Sequence, residues 1–340
     1  MKLLVSILAL FLAVSTAVTV GVSDDITVSG LSSGAFMAVQ VHVAHSATIK
    51  GAGVFAGGPY YCAQGQIATA LTTCMSVGSG INLAGIKSEI KSKASKGKID
   101  DPSNLDGSKV FVFSGTKDST VNPKVNKATV DFYNDYNADV SSNFDLAAGH
   151  TMPTVSNGIT CTSTQSPYIG KCSYDGAFEA LKHLHPDKVT NEPGSYNSNN
   201  LFKITQSGAS GAVMGSKAYL YVPEQCQSAD ADCSLHVVFH GCQQTTSDIG
   251  EKYVTLTGYN EVAETNDLVI LYPQASKQIL KNPNGCWDWW GYTDGSSFLP
   301  SSSKYHTQEG KQVKVVKKTI DDIRSGKVTL FRDEDEFLKE

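Results

Sequence analysis

The chain has 340 residues, of which 41% are hydrophobic, and this is enough to form one large core or two small ones. Its 28 basic and 33 acidic residues give a net charge of −5, with no basic cluster. Because nucleic-acid binding requires a concentrated positive surface, no nucleic-acid partner is expected. No biased linker or fixed repeat divides the chain, so we expect a single domain over residues 18–340, acting as a monomer.

The first 17 residues have the composition of a secretory signal peptide. Met1 and Lys2 precede the apolar run LLVSILALFLAV, and the small residues STA at 15–17 form a cleavage site. A retained anchor is the alternative, but the run is short for a membrane span and nothing resembling a stop-transfer segment follows. We therefore expect residues 1–17 to be removed and the mature protein to be secreted, without membrane association.

The mature chain begins with a strand, a glycine-rich pentapeptide and an apolar helix. Residues 26–30, ITVSG, are typical of a buried strand, and residues 33–46 of a helix. Between them, residues 30–34 match G-x-S-x-G, the nucleophile elbow of α/β-hydrolases, which exposes its central serine, here Ser32, on a strained turn. Such a turn is also common without catalysis, so the assignment of Ser32 depends on its partners.

Short apolar strands alternate with helices along the rest of the chain. This pattern predicts an α/β fold with a mostly parallel sheet and helices on both faces. Further strands are predicted at 51–57, 109–115, 143–149, 217–223, 235–241 and 268–274, and further helices at 124–136 and 307–325. A charged tail, FRDEDEFLKE, occupies about 331–340.

A serine nucleophile needs a histidine base and a carboxylate that orients it, and in α/β-hydrolases these follow in the order Ser, Asp or Glu, His. Asp118 follows the predicted strand 109–115, and His150 follows the predicted strand 143–149. We therefore predict Ser32, Asp118 and His150 as the catalytic triad, with an ordinary turn aspartate as the alternative for Asp118. The histidines that fit this pattern less well are His42, His45, His183, His185 and His306.

The eight cysteines form an even set, which is typical of disulfides in secreted proteins. Metal binding is the alternative, but no C-x-x-C motif or Cys/His cluster with ligand spacing occurs in the sequence, so no metal site is predicted. Sequence alone leaves many connectivities open. Proximity along the chain favours the pairs Cys62–Cys74, Cys161–Cys172 and Cys226–Cys233, which leaves Cys242–Cys286.

The segment LHVVFHGCQQT, residues 235–245, has the pattern of an oxyanion strand and loop. His240-Gly241-Cys242 follows an apolar strand as the HGGG-type loop follows strand 3 in esterases. That loop normally precedes the elbow, whereas here it comes after the triad. Joining the end of the chain to its beginning restores the usual order, so the sequence predicts a circularly permuted α/β-hydrolase. Permutation is tolerated where the natural termini lie close together.

Six ordered motifs together resemble the extracellular poly(3-hydroxybutyrate) (PHB) depolymerases, in the single-domain type whose lipase box precedes the oxyanion segment. The motifs are SGLSSGAFMAVQ, FAGGPYYC, GTKDSTVNP, AAGHTMPT, HVVFHGCQQ and NPNGCWDWWGY. The resemblance covers roughly residues 24–326. It implies an α/β-hydrolase fold, with Ser32 as nucleophile, His150 as base and Asp118 as the carboxylate that orients it. It also implies an oxyanion hole formed by the backbone N–H groups of Ser33 and Cys242.

These roles imply ester hydrolysis through an acyl-enzyme. Ser32, deprotonated by His150, would attack the ester carbonyl, and water activated by His150 would release the acyl group. No cofactor is required. The implied substrate is a polyester of hydroxyalkanoates or its oligomers.

All three tryptophans lie in the segment NPNGCWDWWGY, residues 282–292. An aromatic corner packed beside Cys286 is one interpretation. The other is a flat apolar wall for a water-insoluble, methyl-bearing chain, which we expect of the group as a whole. The candidate substrate-binding residues are therefore Trp287, Trp289, Trp290 and, after FAGGP, Tyr60.

Two alternative functions remain open at this stage. A secreted carboxylesterase that removes feruloyl or acetyl groups from plant polysaccharide would use the same triad. A non-catalytic secreted protein that binds polymer through the tryptophan segment would have no need of Ser32, Asp118 and His150 together.

Overall fold

The computed structural model describes residues 18–294 and 303–332. The predicted signal peptide, residues 1–17, lies outside the described residues, as does the charged tail beyond Arg332. A large sheet, a small sheet and the helices packed on them make up the described chain.

Eleven strands form within the described residues. The strands at the centre of the large sheet are mostly apolar and are buried from end to end, as parallel strands covered on both faces require. The strands are β1 (Val22–Leu31), β2 (Ile49–Phe55), β3 (Lys109–Phe113), β4 (Asp139–Asn143), β5 (Met152–Thr154), β6 (Ile159–Thr160), β7 (Ile169–Lys171), β8 (Leu201–Thr205), β9 (Lys217–Tyr221), β10 (Cys233–Phe239) and β11 (Leu268–Tyr272).

The large sheet has eight strands in the order β4-β3-β2-β1-β10-β11-β9-β8, and the small sheet has the order β5-β7-β6. Neighbours in the large sheet are parallel except at β9, which is antiparallel to both β11 and β8. Counted from β8 to β11 and then from β1 to β4, the strands take the spatial order 1-2-4-3-5-6-7-8 of an α/β-hydrolase sheet. The predicted fold, a circularly permuted α/β-hydrolase, is therefore confirmed.

Helices cover both faces of the large sheet. One apolar cluster joins the first helix and the last one to one face, and a second joins two helices from the middle of the chain to the other. The helices are α1 (Ser33–Ala44), α2 (Ile67–Leu71), α3 (Leu83–Ser95), α4 (Pro123–Asn134), α5 (Gly176–Leu184), α6 (Thr246–Ile249), α7 (Lys252–Leu256), α8 (Tyr259–Thr265) and α9 (Lys311–Arg324).

The end of the last helix lies beside β1, the first strand of the chain. Helix α9 packs on both α1 and β1, and its last residue, Arg324, forms an ion pair with Asp24 of β1. Phe331, beyond α9, bridges to Lys203 of β8. The end of α9 therefore lies where an unpermuted chain would continue into the elbow strand, which explains how this order of segments can fold into the same sheet.

One predicted strand is wrong. Residues 144–149 form a loop, and the strand is β4, which shares only Asn143 with the predicted range. Its sequence, DVSSN, is too polar to give an apolar strand signal. Ala148 is buried although it lies in a loop. The apolar residues of this loop therefore resemble those of a buried strand in the sequence. Strand β8 and helices α3, α5 and α8 were not predicted, because their buried residues are few or their segments short.

Four disulfides are formed, and they join the pairs that proximity along the chain favours: Cys62–Cys74, Cys161–Cys172, Cys226–Cys233 and Cys242–Cys286. Three of them close loops of 7 to 12 residues, whereas Cys242–Cys286 spans 44 residues. This long-range bond connects the loop after β10 to the tryptophan segment.

Candidate active site

Ser32 lies on a sharp turn between β1 and α1. Its backbone has φ 57° and ψ −122°, a conformation that is strained for a residue with a side chain. Two flanking glycines make the turn possible. A Cβ on Gly30 would lie 2.4 Å from the backbone of Gly34, and a Cβ on Gly34 would lie 2.2 Å from the carbonyl oxygen of Phe239. The pentapeptide therefore forms the strand-to-helix elbow that its sequence predicts.

Asp118 and His150 form a buried hydrogen-bonded pair. His150 Nδ1 lies 2.8 Å from Asp118 Oδ2, and the side chains are 7% and 0% exposed. The other carboxylate oxygen of Asp118 accepts hydrogen bonds from the backbone N–H groups of Thr120 and Val121, at 2.8 and 3.0 Å. These bonds fix the carboxylate, which in turn holds the imidazole with Nδ1 donating and Nε2 free to act as a base.

Ser32 and His150 line the same cavity, which has a volume of about 420 Å³. It lies at the carboxyl edge of the sheet, because its lining includes residues of the loops that follow β1, β3, β4 and β10. Within the described residues no hydrogen bond joins the Ser32 hydroxyl to His150. In hydrolases this bond often tightens only when substrate binds.

Two backbone N–H groups near the elbow serine have no acceptor among the described residues. They belong to Ser33, the first residue of α1, and to Cys242, in the loop after β10. The N-terminus of α1 adds a partial positive charge at the same place. This is the arrangement that binds a developing oxyanion.

The structure divides the predicted aromatic residues into two groups. Trp289 and Trp290 line the cavity, with Trp289 stacked on Phe36 at a centroid distance of 4.0 Å. Trp287 and Tyr60 do not line the cavity; both are fully buried, Trp287 against Phe239. The structure therefore does not place these two predicted side chains on the cavity wall, because both are packed in the core.

Asp288, which lies between the tryptophans, organises their loop. Its carboxylate accepts bonds from the N–H groups of Gly291, Tyr292 and Thr293 and from the Thr293 hydroxyl, at 2.6 to 2.9 Å. Burial raises the pKa of Asp288 to about 6, against the opposing effect of these donors. Sequence analysis missed this residue, since a single aspartate in an aromatic segment carries no recognisable pattern.

Exposed apolar side chains lie in the lining of the cavity and next to it along the chain. Ile67 and Leu71 of α2 line it and are about half exposed, at 45% and 52%. Ile279 and Leu280, beside the lining residue Lys281, are 88% and 94% exposed. Sequence analysis missed these residues because exposure of an apolar side chain depends on the tertiary fold.

Within residues 18–294 and 303–332, no group of three His, Cys, Asp or Glu side chains is placed to hold a metal ion. None of the helices in the same residues is long and apolar enough to cross a membrane.

An elbow serine, an oriented histidine and two unpaired N–H groups on this sheet are the arrangement of the serine hydrolases of the α/β-hydrolase class. No protein-family profile matches the chain. Among curated proteins, a poly(3-hydroxybutyrate) depolymerase of Delftia acidovorans is 43% identical over 305 residues, covering 88% of this chain. This chain spans 60% of the length of that relative. A polyhydroxybutyrate depolymerase of Talaromyces funiculosus is 41% identical over 286 residues, which cover 79% of this chain and 83% of the relative.

Solved structures give the same result. A PHB depolymerase from Penicillium funiculosum has a TM-score of 0.79 and 35% identity, covering 93% of this chain and 100% of that chain. A PHB depolymerase variant complexed with an R3HB trimer also has a TM-score of 0.79, with 36% identity, 93% of this chain and 99% of that chain covered. The chain therefore belongs to the PHB depolymerase family, the family that its six motifs resemble.

Proposed function

We propose that this protein is a secreted serine esterase that hydrolyses poly(3-hydroxybutyrate) or its oligomers. The observation that carries the proposal is the placement of the elbow serine, Ser32, in one cavity with His150, whose Nδ1 is held by Asp118. The relatives named as PHB depolymerases, and the neighbour complexed with an R3HB trimer, support this substrate class.

Acylation is the first chemical step. His150 Nε2 takes the proton of the Ser32 hydroxyl as its oxygen attacks the ester carbonyl carbon. The carbonyl oxygen becomes negative and receives hydrogen bonds from the N–H groups of Ser33 and Cys242. When the tetrahedral intermediate collapses, His150 gives its proton to the departing hydroxyl end of the chain. Asp118 stabilises the imidazolium throughout without accepting its proton.

Deacylation repeats the sequence with water as nucleophile. His150 takes a proton from water, the resulting hydroxide attacks the acyl-enzyme, and the same two N–H groups stabilise the second intermediate. Collapse returns the proton to Ser32 and releases a product that ends in a carboxylic acid. These residues supply every proton transfer that the hydrolysis requires.

The walls of the cavity suit a methyl-bearing polyester. Trp289 and Trp290 provide flat apolar surface on one side, and Leu31, Leu71 and Met75 contribute apolar side chains elsewhere. A volume of about 420 Å³ lies within the range of sites that hold small organic ligands. The exposed Ile279 and Leu280 extend the apolar surface beyond the mouth, where a water-insoluble chain would lie.

Extracellular action is part of the proposal. All eight cysteines are paired in disulfides, which persist in oxidising compartments. The apolar N-terminal segment of the sequence is consistent with export.

The test is a comparison of three substrates at equal enzyme concentration: amorphous PHB, soluble 3-hydroxybutyrate trimer and ethyl ferulate. We expect release of 3-hydroxybutyrate from the first two and little hydrolysis of the third. Hydrolysis of ethyl ferulate alone would favour the feruloyl esterase alternative, and hydrolysis of none of them would favour a non-catalytic binding protein.

A further inference from the structure

The catalytic cavity holds one permanently charged side chain. Among the described residues that line it, Lys281 is the only lysine, arginine, aspartate or glutamate. Other polar residues of the lining, such as Thr120, Thr164 and Gln243, contribute uncharged hydroxyl and amide groups. A lysine ammonium is a compact positive charge with three hydrogen-bond donors. The mechanism described above makes no use of this charge.

The ammonium of Lys281 has no carboxylate partner within residues 18–294 and 303–332. Its side chain is exposed as well as lining the cavity. Lys277, four positions earlier, forms an ion pair with Asp248. The carboxylate that contacts this segment is therefore already paired with another lysine, and the charge of Lys281 is left at the cavity without an anion.

The backbone of Lys281 is held in a tight turn. The N–H of Gln278 donates to the carbonyl oxygen of Asn282 at 2.9 Å, and the N–H of Asn282 donates to that of Gln278 at 2.8 Å. The Asn282 amide joins the turn to Cys286, since its Oδ1 accepts from the Cys286 N–H at 2.9 Å and its Nδ2 donates to the Cys286 carbonyl at 2.8 Å. Lys281 is thus carried by a fixed turn beside a disulfide-bonded residue that also lines the cavity.

The substrate class proposed above carries a single charge in each molecule. The esters along the chain are neutral, and an oligomer of 3-hydroxybutyrate ends in one carboxylate. When Ser32 attacks an ester, this carboxylate lies on the alcohol fragment that departs, because the acyl fragment carries the free hydroxyl end. A hydrogen bond between an ammonium and a carboxylate is stronger than one between neutral groups. Lys281 is therefore complementary to the acid end of an oligomer.

We propose that Lys281 binds the terminal carboxylate of 3-hydroxybutyrate oligomers, so that the enzyme prefers oligomeric acids to neutral esters of the same length. The inference rests on the proposed function, because it takes its ligand from that substrate class. It gives the cavity a determinant for the end of the chain, in addition to the apolar wall that suits the interior. Binding at this point sets how far the cleaved ester lies from the acid end.

Three substitutions separate the charge of Lys281 from other effects. Lys281→Met removes the ammonium and keeps a long apolar side chain, whereas Lys281→Arg keeps the positive charge. Lys91→Met is the matched control, because Lys91 is exposed on α3 and does not line the cavity. Each substitution is combined with Ser32→Ala, so that the ligand is not consumed by the proposed nucleophile during the measurement.

Calorimetric titration measures the Kd of the 3-hydroxybutyrate trimer and of its methyl ester, which has the same chain without the charge. We expect the Ser32→Ala protein to bind the acid about fivefold more tightly than the methyl ester, as for an ion pair that is open to solvent. Lys281→Met should abolish this preference, and Lys281→Arg and Lys91→Met should keep it. Equal affinity of the Ser32→Ala protein for the two ligands, or a preference that persists in Lys281→Met, would overturn the inference.

The salt dependence tests the same claim without a substitution at Lys281. Raising the sodium chloride concentration from about 0.1 M to about 1 M should reduce the preference of the Ser32→Ala protein for the acid, because salt screens an exposed ion pair. A preference that does not change with salt would contradict an ionic contact. Thermal melting of each variant checks that it is folded.

Hydrolysis of the trimer by the enzyme that retains Ser32 keeps the inference apart from the proposed function. If the trimer is hydrolysed but the preference for the acid is absent, only the inference is wrong. If the trimer is not hydrolysed but the preference depends on Lys281, the proposed substrate is wrong and the carboxylate site stands. Binding of neither ligand would contradict both.

Discussion

Cys242 is bonded to Cys286, the residue directly before Trp287, although 44 positions separate the two cysteines. The bond joins the loop that carries one proposed oxyanion donor to the loop whose Trp289 and Trp290 line the cavity. These two parts of the site are therefore one covalently connected unit.

Removal of this disulfide should affect both stability and turnover. For the double variant C242A/C286A we expect the free energy of unfolding to fall by about 2–4 kcal/mol, because a long loop gains freedom in the unfolded chain. We also expect kcat to fall, because the backbone of residue 242 is no longer restrained. The matched control is C226A/C233A, whose disulfide lies at the start of β10 and does not line the cavity. It should lose stability with an unchanged kcat in ester hydrolysis; an unchanged kcat in both variants would contradict the account.

Asp118→Asn should lower kcat by about 10⁴-fold while the fold is retained, because an amide favours the wrong tautomer of His150. The chain offers a matched control in Asp25, whose carboxylate contacts His185 Nδ1 at 2.7 Å, a similar geometry outside the catalytic cavity. Asp25→Asn should change thermal stability without changing kcat. Steady-state kinetics of the two variants on the trimer check the prediction, and equal effects on kcat would argue against a triad role for Asp118.

Trp290→Ala should raise KM for the 3-hydroxybutyrate trimer by about tenfold, which corresponds to roughly 1–2 kcal/mol of lost apolar contact. Hydrolysis of p-nitrophenyl acetate should change little, because the short ester does not reach along the wall. Trp287→Phe is the control, since Trp287 is buried against Phe239 and is absent from the cavity wall. It should lower the melting temperature and leave KM unchanged. A rise in KM for Trp287→Phe alone would reverse the assignment of the two tryptophans.

Stability should fall as the pH decreases from about 6.5 to about 4. Burial lowers the pKa of His42 to about 3 and that of His45 to about 4, from an ordinary value of 6.5. In this interval these histidines bind protons in the unfolded chain but not in the folded protein. Each of them therefore lowers the free energy of unfolding by about 1.4 kcal/mol for each pH unit of acidification. Above pH 6.5 both states are neutral at these positions and the effect disappears.

The variant His42→Asn tests the contribution of one of these two histidines. An amide N–H replaces His42 Nδ1, which contacts the Tyr133 hydroxyl at 2.9 Å, and it does not titrate. Urea unfolding at several pH values gives the free energy of unfolding as a function of pH. Between pH 6.5 and 4.5 this free energy should change less steeply in the variant than in the unmodified protein, and between pH 7.5 and 8.5 the two slopes should be equal. If the free energy of unfolding changed equally with pH in both proteins over the acid interval, His42 would not be kept neutral by folding, and the prediction would be wrong.

Local sequence patterns located the parts of the site that depend on backbone geometry. The elbow at Ser32 is specified by glycines at fixed offsets, and the proposed oxyanion loop at Cys242 by an apolar strand followed by His-Gly. The reversed order of these two motifs was sufficient to predict the permutation, since the sheet order depends only on which strands carry them.

Side-chain orientation could not be predicted in the same way. Trp287 and Trp289 are two residues apart in one aromatic segment, yet one packs in the core and the other lines the cavity. Asp288 lies between them, and its carboxylate folds the residues that follow through four hydrogen bonds, which the local sequence pattern does not reveal. The exposure of apolar residues such as Leu280 also depends on which surfaces the fold leaves uncovered.

The most direct test of the central claim is the release of 3-hydroxybutyrate from its soluble trimer by the unmodified enzyme and by Ser32→Ala. Ser46→Ala serves as the control, because Ser46 lies beyond α1 and outside the cavity. The account predicts release by the unmodified enzyme and by Ser46→Ala, and a kcat about 10⁶-fold lower for folded Ser32→Ala. Release at comparable rates by Ser32→Ala would show that the elbow serine is not the nucleophile.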